Sequence, residues 1–124
     1  MDWLENHLET RRKGWPYEGR YRVEHFRENG YAARIDDEVA GFAWAEDIAH
    51  KEARVKMNLK AEYAEYAIGT ELLETLVAQL KNTGYCRIYY TIKPEHYAYQ
   101  IYRHLGFKAI YSDEEKIDFI WENA

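Results

Sequence analysis

The chain has 124 residues, of which 47% are apolar, and its 22 acidic and 17 basic side chains give a formal net charge of −5. This length and apolar content predict a single domain over residues 1–124, and the acidic balance argues against nucleic acid as a partner. No apolar run is long enough to span a bilayer, so we expect no membrane partner. The first residues lack the basic and apolar regions of a secretion signal, so we expect a cytoplasmic protein.

The N-terminal half reads as one helix followed by four strands. Asp2 can cap the helix, and an irregular link follows at Trp15-Pro16. Strands are predicted at 20–27, 31–35, 39–46 and 53–59, with turns at 29–30, 36–37 and 47–51. Gly41, inside the third strand, suggests a bulge or a close backbone neighbour. Together these strands predict an antiparallel meander.

An amphipathic helix follows the fourth strand. Its apolar residues recur at spacings of three and four, as expected for one buried helical face: Ile68, Leu72, Leu73, Leu76, Val77 and Leu80. Residues 82–84 give it a C-terminal stop at Gly84. The unpaired N–H groups and the positive dipole end of its first turn could hold a phosphate, although an ordinary strand-to-helix connection explains the same pattern.

The C-terminal part reads as strand, helix and two strands. Residues 86–92 form the strand, and the alternation places Cys86 on its buried face as a small core residue. This single cysteine excludes an internal disulfide and a cysteine-ligated metal cluster, and we expect no metal site. Pro94 can open the next helix, Gly106 can close it, and strands are predicted at 107–111 and 117–121. The strands on either side of the central helix would run parallel through a right-handed crossover.

Two segments in this layout resemble the GNAT superfamily of acyl-CoA-dependent N-acyltransferases. The loop 64–69 and the helix after it are similar to the family pattern of Arg or Gln, two residues, Gly, one residue, and Gly or Ala. The segment 95–107 is similar to the family helix that carries Asn, Ala and Tyr and ends in Leu-Gly-Phe, here Leu105-Gly106-Phe107.

The resemblance implies an α+β fold with a central mixed, mostly antiparallel sheet, flanking helices and one parallel strand pair splayed around a cofactor cleft. It implies acetyl-CoA as co-substrate and transfer of its acetyl group to a primary amine on a small molecule or a protein. It also implies that Tyr102 protonates the departing thiolate. The implied cofactor-binding residues are Met57, Asn58, Leu59, Ala64, Glu65, Tyr66, Ala67, Ile68, Gly69, Thr70, Glu95, Ala98 and Tyr102.

The sequence also departs from the family pattern. Ala64 and Ala67 replace the expected Arg or Gln and the first Gly, Glu65 places a carboxylate in an anion-binding loop, and Glu95 replaces the Asn. The segment before the meander is too short for the usual acceptor-site elements, so that site is either reduced or completed by a second subunit in a homodimer. These departures leave open a second function, a catalytically weak or inactive GNAT-like binding module.

Overall fold

The computed structural model describes residues 20–63, 68–93, 102–103 and 105–123, to which all structural statements below refer. Seven strands and the central α-helix follow one another in the predicted order, and a short 3-10 helix that was not predicted lies between the fourth strand and the α-helix. Their bounds are β1 Tyr21–Arg27, β2 Gly30–Ile35, β3 Glu38–Ala49, β4 Glu52–Leu59, the 3-10 helix Ala61–Tyr63, α1 Ile68–Asn82, β5 Arg87–Ile92, β6 Lys108–Ser112 and β7 Ile117–Glu122.

Strands β1 to β4 form the predicted antiparallel meander. Each of its three tight turns contains a residue with positive φ, namely Asn29, Asp36 and Lys51. The first turn lies at 28–29, so Gly30 already belongs to β2. The predicted end of β3 at residue 46 is wrong, because the strand continues to Ala49 past a register shift opposite β4.

Gly41 shows both features that its place in a strand suggested. The register of β2 against β3 shifts next to it, between Ala33 and Arg34. A Cβ built on Gly41 would lie 2.6 Å from Leu59 Cδ1 and 2.9 Å from the backbone oxygen of Asn58. Glycine is therefore needed here because β4 passes too close to β3 for a side chain.

Helix α1 packs the predicted apolar stripe against the sheet. The six stripe residues are at most 2% exposed, and they join a core that includes Val55, Ile88 and Phe119. The helix ends at the predicted place: the N–H of Tyr85 donates to the carbonyl of Leu80, and Gly84 has φ +91°. This is the Schellman arrangement, in which a left-handed glycine satisfies the last carbonyls of a helix.

The strand order in the sheet is β1-β2-β3-β4-β5-β7-β6. Strands β4 and β5, which flank α1, are its one parallel pair. The mixed, mostly antiparallel sheet with one parallel pair is therefore confirmed. No described helix is long and apolar enough to cross a membrane.

The Leu-Gly-Phe segment forms a second left-handed turn. Gly106 has φ +98°, and the N–H of Phe107 donates to the carbonyl of Tyr102 at 3.1 Å. Lys81 of α1 donates to the carbonyl of Leu105 at 3.2 Å, and its Nζ lies 4.6 Å from the ring centroid of Trp121. Partial burial lowers the pKa of Lys81. The motif therefore closes one helical turn and ties it to α1.

One sequence interpretation is corrected and others lie outside the described residues. Cys86 is exposed rather than part of the core, because β5 begins one residue later and the N–H of Cys86 donates to the carbonyl of Lys51 outside the sheet ladder. The predicted first helix, the loop 64–67 and most of the helix after Pro94 lie outside the described residues.

Candidate functional site

The parallel strands β4 and β5 separate soon after they meet. Only Glu52, Ala53 and Arg54 of β4 pair with β5, opposite Arg87, Ile88 and Tyr89. Beyond Arg54 the described ladder of β4 is with β3 alone, and beyond Tyr89 that of β5 is with β7 alone. Backbone groups on the facing edges are thus left without strand partners, at the place where the sequence predicted a splayed pair.

The gap between these edges is a cavity of about 220 Å³. Its described lining consists of Arg54, Val55, Lys56, Met57, Tyr90 and Thr91. Among these described residues two are cationic and none is acidic. A narrow cleft of this kind, with unpaired strand backbone on its walls, suits an extended chain that carries amides and negative charge.

Met57 is the point at which β4, β5 and the start of α1 meet. Its Sδ lies 3.9 Å from the phenol oxygen of Tyr90. A Cβ built on Gly69 would lie 3.2 Å from the same sulfur and 3.7 Å from Leu59 Cδ2. The first turn of α1 therefore begins beside the open end of the cleft.

The structure brings together some of the predicted cofactor-binding residues and separates others. Met57 and Leu59 contact the start of α1, whereas the intervening Asn58 is exposed and lines a different cavity with residues 39–42 and Lys60. Ile68 and Thr70 are buried as whole residues, at 0% and 8% exposed, so they present little surface to a ligand in this structure. Predicted site residues outside the described part are Ala64, Glu65, Tyr66, Ala67, Glu95 and Ala98.

Tyr102 lies behind Tyr90 rather than on the wall of the cleft. Its side chain is 4% exposed and packs edge-on against the rings of Tyr90 and Phe119, with centroid distances of 5.3 Å and 5.6 Å. The Tyr102 side chain also hydrogen-bonds that of Tyr90. The side chains of Tyr90 and Tyr102 are therefore packed and hydrogen-bonded to each other, and Tyr90 is the one nearer the cleft.

The acidic residues that the sequence left unplaced fall in three different places. Asp47 accepts a hydrogen bond from the Tyr85 phenol at 2.6 Å and lies opposite Ala53, where β4 and β5 are still paired. Glu62 is exposed in the 3-10 helix. Glu46 lies opposite Arg54 in the β3–β4 register, where the cleft begins, and it accepts a hydrogen bond from Trp44 Nε1 at 3.2 Å. Glu46 is thus the acidic side chain of this group that lies nearest to the cleft.

The sequence analysis missed five cleft residues: Arg54, Val55, Lys56, Tyr90 and Thr91. The alternation of β5 correctly placed Tyr90 on the buried face. No signal in the sequence says where two parallel strands part, so nothing marked the residues just beyond that point.

The sequence profile of the Acetyltransferase (GNAT) family matches residues 1–107. This chain belongs to that family. No curated protein matches the GNAT-family chain. Among solved structures, it is 20% identical to the PaiA N-acetyltransferase of Thermoplasma acidophilum in complex with coenzyme A, with a TM-score of 0.61, and the match covers 97% of this chain and 92% of that one.

Two further solved structures have the same fold. The ribosomal-protein-S18-alanine N-acetyltransferase of Escherichia coli is 16% identical with a TM-score of 0.63, and the match covers 98% of this GNAT-family chain and 90% of that one. The GNAT domain of S. lividans PAT is 17% identical with a TM-score of 0.62, over 76% of this chain and 60% of that one. At these identities the likeness shows a shared GNAT fold.

Proposed function

We propose that this chain is an N-acetyltransferase that moves the acetyl group of acetyl-CoA to a primary amine on a small molecule or a protein. The observation that carries the proposal is the opening of β4 from β5 after three residue pairs, at the start of α1, in a chain of the GNAT family. Between these two neighbouring strands of the described sheet, backbone groups are left without strand partners, and such an edge requires an occupant or water.

The residues around the cleft fit acetyl-CoA. The amides of its pantetheine arm can pair with the open edge of β4 around Met57 and Leu59, as a further strand would. Its phosphates would lie toward the first turn of α1, at the positive end of the helix dipole. Arg54 and Lys56 add positive charge to the same cleft.

Acetyl transfer requires three things from the protein. The amine must reach the thioester carbonyl in its neutral form, the carbonyl oxygen needs a hydrogen-bond donor as it gains charge, and the departing sulfur needs a proton. A strand N–H on the open edge of β4 can donate to the oxygen. The phenols of Tyr90 and Tyr102 are the described acids beside the cleft. Two described carboxylates could accept a proton from the amine: Glu46, opposite Arg54 in the β3–β4 register, and Asp118, which accepts a hydrogen bond from Thr91 at 2.6 Å.

Acetyl-CoA should raise the melting temperature of the purified protein. At a free concentration 100 times its Kd, a ligand that binds the native state adds about 2.7 kcal/mol to the free energy of unfolding. Release of free thiol in the presence of a panel of primary amines then tests the transfer itself. Stabilisation without thiol release from any amine would favour the catalytically inactive binding module, and absence of both effects would contradict the proposed function.

Gly69→Ala should separate stability from cofactor affinity. Alanine is up to about 1 kcal/mol more favourable than glycine in a helix, and the new Cβ would meet two flexible side-chain ends, Met57 Sδ at 3.2 Å and Leu59 Cδ2 at 3.7 Å. We therefore expect an unchanged or higher melting temperature. The added methyl group should keep phosphates away from the helix start and weaken CoA binding by about tenfold, measured by calorimetric titration.

Ala78→Gly is the matched control, since residue 78 is exposed on α1 and remote from the helix start. It should lower the melting temperature and leave the Kd for CoA unchanged. Unchanged CoA affinity in Gly69→Ala would show that the phosphates do not lie at this glycine.

A further inference from the structure

The two tyrosines beside the cleft are not equivalent. Tyr90 belongs to the described lining of the cleft, whereas Tyr102 does not. The phenol O–H of Tyr90 donates toward a sulfur atom, Met57 Sδ, over 3.9 Å. A thioether is a weak acceptor, so a better acceptor that enters the cleft can take its place. The Tyr90 phenol is therefore directed at the Met57 sulfur, which lies next to the open edge of β4.

Tyr102 supports Tyr90 from the side of the core. Its ring meets the ring of Tyr90 edge-on, at an interplanar angle of 86°. Contact with Phe119, which is fully buried, fixes the opposite side of Tyr102. Two packed aromatic contacts and a hydrogen bond to the Tyr90 phenol hold both side chains in one arrangement.

We infer that Tyr90, rather than the motif tyrosine Tyr102, contacts the thioester sulfur and gives its phenol proton to the departing thiolate, while Tyr102 positions Tyr90. This inference rests on the proposed function. In the step, the amine nitrogen forms a bond to the acetyl carbon, the carbon–sulfur bond breaks and its electron pair goes to sulfur. The Tyr90 proton moves to that sulfur, the nitrogen releases one proton to solvent, and the phenolate regains one from solvent. The products are the amide and CoA thiol.

The surroundings of Tyr90 suit an acid. Burial raises the pKa of its phenol, and the hydrogen bond from the Tyr102 side chain acts in the opposite direction. The net effect raises the pKa, so Tyr90 keeps its proton at neutral pH and can donate it toward the charge that develops on a sulfur beside it.

A binding cycle tests this contact without any acceptor amine. CoA and desulfo-CoA, which lacks the sulfur, are titrated calorimetrically into the wild type, Tyr90→Phe and Tyr102→Phe. We expect the wild type to prefer CoA by about tenfold, as a hydrogen bond to the sulfur would give. Tyr90→Phe should lose most of that preference, Tyr102→Phe should lose less of it, and Tyr89→Phe, on the other face of β5, should keep it.

Steady-state kinetics of the same variants give a second test of this inference once an active amine is known. Tyr90→Phe should lower kcat by about 10²-fold with little change in KM, as the loss of a general acid does. Because Tyr102 acts through Tyr90, Tyr90→Phe with Tyr102→Phe should be no slower than Tyr90→Phe alone. Met57→Leu removes the competing sulfur and should increase the preference for CoA. This variant tests the contact with the sulfur even if Tyr90→Phe folds poorly.

The opposite pattern overturns the inference. If Tyr102→Phe abolishes the preference for CoA while Tyr90→Phe retains it, Tyr102 is the group that contacts the sulfur. If the wild type binds both ligands equally and Met57→Leu changes nothing, neither phenol contacts it. If the wild type binds neither ligand, the proposed function fails and the inference fails with it.

Discussion

Replacing Leu76 by alanine will lower the free energy of unfolding by about 3 kcal/mol. Leu76 lies in the middle of α1, is 0% exposed and belongs to the core that joins β4 to β5 and β7. The substitution removes three buried carbons and leaves a cavity that a helix packed on a sheet cannot easily fill. Since small domains are stable by only about 5–15 kcal/mol, this is a large share of the total.

Urea unfolding measures the effect, which should appear as a lower midpoint with an unchanged m-value. Thr75→Ala is the control, because Thr75 is the neighbour of Leu76 and is only partly buried. This substitution should change the free energy of unfolding by less than about 0.5 kcal/mol. A loss below about 1 kcal/mol for Leu76→Ala would contradict the packing of α1 on the sheet.

Gly41→Ala will cost about 2 kcal/mol and will also weaken binding of CoA. The new Cβ would lie 2.9 Å from the backbone oxygen of Asn58, besides the 2.6 Å approach to Leu59 Cδ1. A leucine side chain can rotate, but a strand backbone can move only with its neighbours. Relief therefore requires the end of β4, which forms one wall of the cleft, to shift.

Gly69→Ala is a matched comparison for stability, since it adds the same methyl group against a flexible methionine. Combining Gly41→Ala with Leu59→Ala should not restore the stability of the wild type, because the contact with the Asn58 oxygen remains. Urea unfolding and calorimetric titration with CoA measure the two effects. If Gly41→Ala is as stable as the wild type, the backbone of β4 at Asn58 lies farther from Gly41 than the 2.9 Å contact implies.

Local patterns in the sequence predicted the fold well because they report on single elements. The spacing of Leu72, Leu76 and Leu80 identified both α1 and its buried face, and Gly84 identified its end. Gly41 signalled a close neighbour without identifying it as Leu59. The parallel pairing of β4 with β5 followed from the strand-helix-strand order, since such crossovers have one usual hand.

Features that depend on contacts between distant residues could not be predicted. Where β4 leaves β5 is decided by sheet twist and by packing under α1, so the alternation of residues 87–92 did not mark Tyr90 as a cleft residue. In the same way, Cys86 satisfied the alternation but lies one residue before the strand begins. The motif located Tyr102, whereas its place behind Tyr90 depends on how β5 packs against a segment later in the chain.

The unpaired edge of β4 should make amide exchange a direct reporter of occupancy. Along residues 55–59, N–H groups point alternately toward β3 and toward the cleft. The first set is hydrogen-bonded in the sheet and should exchange slowly with deuterium, whereas the second set should exchange quickly in the free protein. A ligand that completes this edge should slow the second set alone. The alternation of fast and slow amides would then disappear on binding, which identifies the bound strand edge residue by residue.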